Sequence, residues 1–187
     1  MPTAQPAVVV VGSANVDQVF RVERIPVPGE TVLSIGLSTA RGGKGQNQAV
    51  AASRAGVSTV FIGAVGQDDF GSLTRAGLKA DGVDVARLRR ADAPTGTALI
   101  AVDDAGENSI IVEAGANRLL VDLDDADARA IAGAGVLLVQ LEIPLETVEA
   151  AARIARSAGT TVILNAAPIR DLPQALLASL DVLVVNE

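Results

Sequence analysis

Three short stretches carry residues able to hold or transform a small polar molecule. The first is Gly12-Ser13-Ala14-Asn15-Val16-Asp17. The second is Arg41-Gly42-Gly43-Lys44-Gly45-Gln46-Asn47-Gln48, and the third places Glu142 directly after the apolar run Val136 to Leu141. Asn165 and Asn186 stand in comparable positions later in the chain, each just past an apolar run. Carboxylates and amides gathered in this way suit a neutral polyhydroxy ligand, because one carboxylate can accept from two adjacent hydroxyls. In the second stretch the glycines let the backbone approach a ligand closely, and the helix that follows offers free N–H groups at its start. Lys44 and Asn47 add donors to the same place.

Missing residue types narrow the chemistry. The 187 residues include no His and no Cys, which removes Ser-His-Asp and Cys-His nucleophiles, imidazole or thiolate zinc sites and any disulfide framework. What remains is carboxylates, Lys and Arg, amides and backbone groups. Lys and Arg number 15 against 22 Asp and Glu, a net charge of −7, and three Phe are the only aromatics. The chain therefore lacks both the basic stripe and the stacking platform of a nucleic-acid binder, and no nucleic-acid partner is expected. No stretch reaches the roughly 18 apolar residues of a membrane span, and the opening segment lacks the basic start of a signal peptide. A soluble, cytoplasmic protein is the expectation. The Gly43-Lys44-Gly45 turn is not a Walker A loop, since Gly45 stands where Ser or Thr is required; the turn after the first strand lacks the dinucleotide GxGxxG pattern.

The elements that must position these residues alternate along the chain. Val8 to Val11 is a β-branched run stopped by Gly12, the pattern of a strand buried on both faces. A helix follows over Gly43 to Ala55, a strand over Ser58 to Val65, and a helix over Asp68 to Ala80 with Gly82 just past its end. Later come a helix starting among Asp122, Asp124, Asp125 and Asp127, then a strand over Val136 to Leu141 and a helix over Leu145 to Ala158. A strand over Thr161 to Leu164, a short helix over Leu172 to Ser179 and a strand over Asp181 to Val185 complete the series. This order predicts an α/β protein with a doubly wound, mainly parallel Rossmann-like sheet. Two hairpin-like regions interrupt it, at about residues 18–40 and 97–113. They predict a small accessory sheet, a β lid over one end of the main sheet. In open α/β sheets ligands bind beyond the carboxyl ends of the strands, where Asn15, Asp17, Glu142, Asn165 and Asn186 all fall.

Plainer readings compete for some of these residues. Gly42-Gly43 also suits a simple turn, and Glu142, two residues before Pro144, equally suits a cap for the next helix. The Asp122 to Asp127 run reads as a solvated helix start, and Arg87, Arg89 and Arg90 as a solvated face.

The same stretches, with Pro28-Gly29-Glu30-Thr31, Thr95-Gly96-Thr97-Ala98, Gly115-Ala116-Asn117, Leu164-Asn165-Ala166-Ala167-Pro168 and Asn186-Glu187, resemble the ribokinase/PfkB sugar-kinase family over essentially the whole chain. Gly42-Gly43-Lys44-Gly45-Gln46-Asn47-Gln48 is similar to its N-terminal signature. The resemblance implies ATP-dependent phosphorylation of a sugar's primary hydroxyl, D-ribose first, with Mg²⁺ and K⁺ and a homodimer formed through the β lid. It places Asn15, Asp17, Gly43, Lys44, Asn47 and Glu142 on sugar-binding positions. Asn186 falls on the Asn of an Asn-x-x-Glu motif near ATP phosphates and Mg²⁺. The family's C-terminal loop, with its catalytic Asp and anion hole, has no counterpart before Glu187. Residues 1–187 are thus expected to be the N-terminal portion of such a domain, truncated at the C-terminus and inactive alone. Losing a general base by itself costs about 10²- to 10⁴-fold. The alternatives are a kinase acting on deoxyribose, fructose or a nucleoside, or a non-catalytic sugar-binding or dimerisation module.

Overall fold

The structure, a computed structural model, describes residues 6–186. Its first strand, β1 (Val8–Val11), lies at the centre of a six-stranded parallel sheet. After the small-sheet strands β2 (Asn15–Arg21) and β3 (Gly36–Gly42) come helix α1 (Lys44–Arg54), strand β4 (Thr59–Gly66), helix α2 (Asp69–Ala80) and the edge strand β5 (Leu88–Ala91). Strands β6 (Gly96–Val102) and β7 (Asn108–Glu113) return to the small sheet, and a 3₁₀ turn at Gly115–Leu119 leads back. The chain then runs through α3 (Asp125–Ala132), β8 (Val136–Gln140), α4 (Leu145–Ala158), β9 (Thr161–Asn165), α5 (Gln174–Leu177) and β10 (Val182–Val184). The main sheet has the order β10-β9-β8-β1-β4-β5, with Val8 paired to both Thr59 and Val136.

Strand alternation distributes the apolar residues between two cores. Val10, Phe61 and Val65 pack under Ala49 of α1 and Leu78 of α2 on one face. Val9, Val11, Ile62 and Leu137 pack under Ile131 of α3 and Val148, Ala151 and Ala155 of α4 on the other. Chain order reverses between β1 and β8, so the doubly wound sheet opens a crevice at the carboxyl ends of those two strands. Among the described residues no helix is long and apolar enough to cross a membrane.

The small sheet has the order β3-β2-β6-β7. Two antiparallel hairpins are joined by a parallel pairing of β2 with β6, in which Asn15 faces Gly96. The strands begin closer to the main sheet than residue 18 and end beyond residue 40: β2 starts at Asn15 and β3 runs to Gly42. Asn15 and Asp17 therefore sit on a strand of the small sheet and not in a loop after β1. Thr31–Ile35 is not a strand.

Hydrogen bonds to Asp68 and Thr95 fix the base of this sheet. Asp68 caps α2 by accepting from Gly71 N at 2.7 Å, and it accepts from Thr95 N at 2.8 Å and Thr95 Oγ1 at 2.6 Å. The Thr95 hydroxyl in turn accepts from Gly66 N at 2.9 Å. One carboxylate thus ties the end of β4, the start of α2 and the residue before β6.

Two sequence expectations are corrected at the sheet edge. Arg87 and Arg89 do not form a solvated face: Arg87 pairs with Asp124 at 3.0 Å, and Arg89 pairs with Asp122 at 2.9 Å and with Asp127. Asp127 is buried, and its carboxylate completes a reciprocal cap with Asp124 at the start of α3. A buried carboxylate needs such partners, because leaving it unpaired costs several kcal/mol. The short strand β5 has no signature in the sequence, since Leu88-Arg89-Arg90-Ala91 carries no apolar alternation; Arg89 is explained by the acidic start of α3 alongside.

Burial pushes the Asp68 carboxyl up, but the Thr95 hydroxyl and the Thr95 and Gly71 amides outweigh it and hold it below its ordinary range. Asp68 therefore stabilises the fold above the ordinary aspartate pKa, and that contribution is lost as pH falls through its lowered value. Asp68→Ala is expected to cost about 2 kcal/mol in urea unfolding at neutral pH. Its deficit relative to the wild type should shrink under acid. A deficit that persists unchanged would show that the carboxylate's charge is not what ties the three segments.

Candidate functional site

The site forms where β1, β2, α1 and β8 meet, and its central contact is the carboxylate of Glu142. Glu142 follows β8, and its Oε2 accepts from Ser13 Oγ at 2.5 Å and from the backbone N–H of Lys44 at 2.9 Å. The Ser13 hydroxyl also accepts from Gly45 N at 3.3 Å, and Ser13 O accepts from Gln46 N at 2.8 Å. Glu142 is thus a cap, but for α1 and not for α4, whose first residue follows Pro144 with no side-chain cap. The N–H groups that open α1 are therefore not free, as the sequence suggests, but taken: Lys44 N by Glu142, Gly45 N by the Ser13 hydroxyl and Gln46 N by Ser13 O, with the negative charge where the helix dipole favours it. Among the described residues Glu142 Oε1 makes no hydrogen bond, so one carboxylate oxygen remains available.

Gly43 makes this approach possible. Its φ is +91°, a conformation that disfavours side chains, and a Cβ there would lie 2.8 Å from Asn15 N. Gly45 rests on the chain before β2, where a Cβ would meet Ser13 N at 2.6 Å. The glycine-rich turn is therefore a close-packed joint between α1 and the β1–β2 connection. Lys44 occupies the first position of α1 and forms no ion pair among the described residues.

Asn15 and Asp17 share one face of β2, the face that carries Ala98 of β6. Asn15 is buried, and its Oδ1 accepts from Asn117 Nδ2 at 2.8 Å. Asp17 leans over Gly42, where a Cβ would lie 2.2 Å from its carboxylate oxygens. Burial pushes the Asp17 carboxyl above its ordinary range, and the charge of Glu142 adds to the shift. The Asp17 and Glu142 carboxylates beside the Asn15 side-chain amide make a site for hydroxyl groups, each of which can donate to a carboxylate and accept from the amide.

Of the residues singled out from the sequence, Asn15 and Glu142 line one cleft of about 550 Å³, together with Asn117, Val112, Leu141 and Ile143. Asp17, Gly43 and Lys44 adjoin it through the contacts above. Asn47 is exposed on the flank of α1, in a separate polar depression shared with Arg41, Gln46 and Arg54. Asn165 ends β9, opposite Gln140 of β8, and the side-chain oxygens of both are buried without a hydrogen-bond partner. Asn186 is exposed beyond β10, two strands from β8, and does not line the cleft. Glu187 lies outside the described residues. Among the described residues no cluster of three acidic side chains could hold a metal ion. Sequence reading noted Ser13 and Asn117 only as parts of motifs. Their partners are side chains and backbone groups distant in the chain, Glu142 for Ser13 and Ala14 and Asn15 for Asn117, and no local spacing reveals that.

Residues 5–187 match the family model described as pfkB family carbohydrate kinase. The chain is 43% identical over 183 residues to the bifunctional ribokinase/ribose-5-phosphate isomerase A of Fructilactobacillus sanfranciscensis, covering 96% of this chain and 34% of that one. It is 40% identical to the ribokinase of Haemophilus influenzae, covering 95% of this chain and 59% of that protein. Among solved structures, Arabidopsis thaliana ribokinase complexed with ribose and ATP superposes with a TM-score of 0.90 at 37% identity, over 97% of this chain and 60% of that one. This chain therefore spans about 60% of the length of these single-function ribokinases. The fold, the strand-end site and these likenesses agree: the chain belongs to the pfkB carbohydrate kinase family.

Proposed function

We propose that this chain is the sugar-side portion of an ATP-dependent ribokinase, which moves the γ-phosphate of ATP to the primary hydroxyl of D-ribose. The sugar oxygen bonds to phosphorus, the bond to ADP breaks, and the hydroxyl proton passes to a general base, giving ribose 5-phosphate. The observation that carries this reading is the convergence of Asn15, Asp17 and Glu142 with the glycine joint of α1. Two acceptor carboxylates and the Asn15 amide match a ring of hydroxyls. The ribokinase complexed with ribose and ATP supports the choice of substrate and of cofactor.

The nucleotide side is sparse in this chain. With no acidic cage among the described residues, Mg²⁺ would arrive with the nucleotide's phosphates. K⁺ and the catalytic Asp belong, on this reading, to the part of the relatives that this chain does not span. The isolated chain is expected to bind sugar without turning it over.

The small sheet is proposed to act as a lid and to pair with a second copy. Ile110 and Val112 of β7 lie on the cleft-facing side with Ile100 of β6, and both are more than half exposed. Apolar side chains on an open sheet beside a polar site are suited to burial against a like surface.

Calorimetric titration of the chain with D-ribose, against D-fructose, deoxyribose and adenosine, tests the substrate. Heat for ribose first is expected, and no preference for ribose would overturn the specific reading. ADP release with ribose, Mg²⁺ and K⁺ is expected to stay at background, and turnover would overturn the assignment of the base elsewhere. Asp17→Asn separates stability from binding. The wild-type carboxylate, its pKa raised by burial and by Glu142, costs stability when ionised, and that cost fades as pH falls through its raised value. The variant should unfold at a higher temperature than wild type at pH 7, with the gap closing in acid, yet bind ribose about tenfold or more weakly. Sedimentation should show a dimer that Ile110→Lys dissociates; a monomeric wild type would remove the lid pairing.

A further inference from the structure

Asn117 is almost completely buried, and every polar atom of its side chain is engaged. Its Oδ1 accepts from Ala14 N at 2.9 Å. Its Nδ2 donates to Ala114 O at 2.9 Å, to Asn15 Oδ1 at 2.8 Å and, more weakly, to Ala14 O at 3.2 Å. The orientation of this amide is set by the backbone. Turning it over would aim an oxygen at two carbonyl oxygens and an NH₂ at a backbone N–H, leaving three buried polar groups mismatched at about 1–3 kcal/mol each. Asn15 has no such backbone tie. Its Oδ1 meets Asn117 and its Nδ2 has no partner among the described residues, while the residue lines the cleft. Gly96 keeps the pair together, because a Cβ there would lie 2.2 Å from Asn15 Oδ1 and 2.3 Å from Asn117 Nδ2.

From this geometry we propose that Asn117 is a positioning residue that fixes which end of the Asn15 amide faces the ligand. Backbone polarity at Ala14 and Ala114 passes through Asn117 to Asn15, which presents NH₂ and never its oxygen to the cleft. The ligand group opposite Asn15 must accept a hydrogen bond. Asp17 and Glu142 alone would draw an ammonium group into this site, since both are acceptors and anionic. The fixed donor of Asn15 selects instead an oxygen with lone pairs, such as a hydroxyl that donates to a carboxylate and accepts from Asn15. The inference rests on the sugar-binding reading for its ligand, but the polarity of the amide pair does not.

Side-chain amide hydrogen exchange on the ¹⁵N-labelled, ligand-free chain tests that polarity first. The Asn117 NH₂ pair should be protected, and the Asn15 pair, assigned by its loss in Asn15→Ala, should exchange at least about tenfold faster. A protected Asn15 pair would overturn the proposal. Asn117→Asp keeps the shape but turns the donor into an acceptor, so the Asn15 amide should reverse. Its NH₂ pair should then become protected, and D-ribose affinity should fall about tenfold or more. Unchanged exchange in that variant would overturn the proposal. If Asn117→Asp does not fold, Asn117→Ser decides through a double-mutant cycle: on the Asn15→Ala background it should cost no further ribose affinity, whereas additive losses would mean a purely structural role. Absence of ribose binding by the wild type would defeat the sugar-binding reading and leave the exchange result to decide this one.

Discussion

The Glu142 carboxylate joins three segments that are far apart in the chain, and the candidate site exists only where they are joined. Its Oε2 receives the Ser13 hydroxyl from the end of β1 and the Lys44 amide from the start of α1, while the residue itself extends from β8. β1 and β8 are already neighbours in the sheet, but α1 could tilt or slide across them. A negative charge at its first turn resists that motion through the partial positive charge of the helix start and a direct hydrogen bond. The glycines at 43 and 45 then permit contact of backbone on backbone, which turns a favourable direction into a single position.

The arrangement works against itself electrostatically. Asp17 stands half-buried near Glu142, and both burial and that neighbour make its charge unfavourable. A protein selected for stability alone would place an amide at residue 17, so the carboxylate there stands against the fold's own stability. A carboxylate perturbed by burial and a like charge at a strand-end crevice has the signature of functional sites generally. Elsewhere the same chemistry serves structure: Asp68 accepts from Gly71 and Thr95, and Asp127 pairs with Arg89 and caps α3.

Much of the architecture was legible because its signals are local. Val8 to Val11 stops at a glycine, α4 carries Glu early and Arg late, and Asp124 with Asp127 announces the start of α3, so these elements fall where the sequence puts them. β5 was hidden because an edge strand lined by Arg89 and Arg90 has no apolar rhythm, and Arg89 makes sense only beside α3. The same gap made Asp127 look solvated. In the site, Asn15, Asp17 and Glu142 were found by the rule that ligands gather beyond strand ends. Their true supports were not: Asp17 belongs to a strand of the small sheet, and Glu142 caps a helix about a hundred residues upstream. Ser13 and Asn117 serve other residues, and service of that kind appears only in three dimensions.

The pairing of Val8 with Val136 has a consequence in time. During synthesis β1, the glycine turn and α1 emerge early and can pack on β4 through contacts close in sequence. Glu142 arrives only after both hairpins and α3 have been made. Closing so long a stretch of chain is slow compared with forming its local elements. Until it closes, the start of α1 has no carboxylate to meet, and Ser13 has no acceptor. The crevice between β1 and β8 thus cannot form until the chain has been made as far as Glu142.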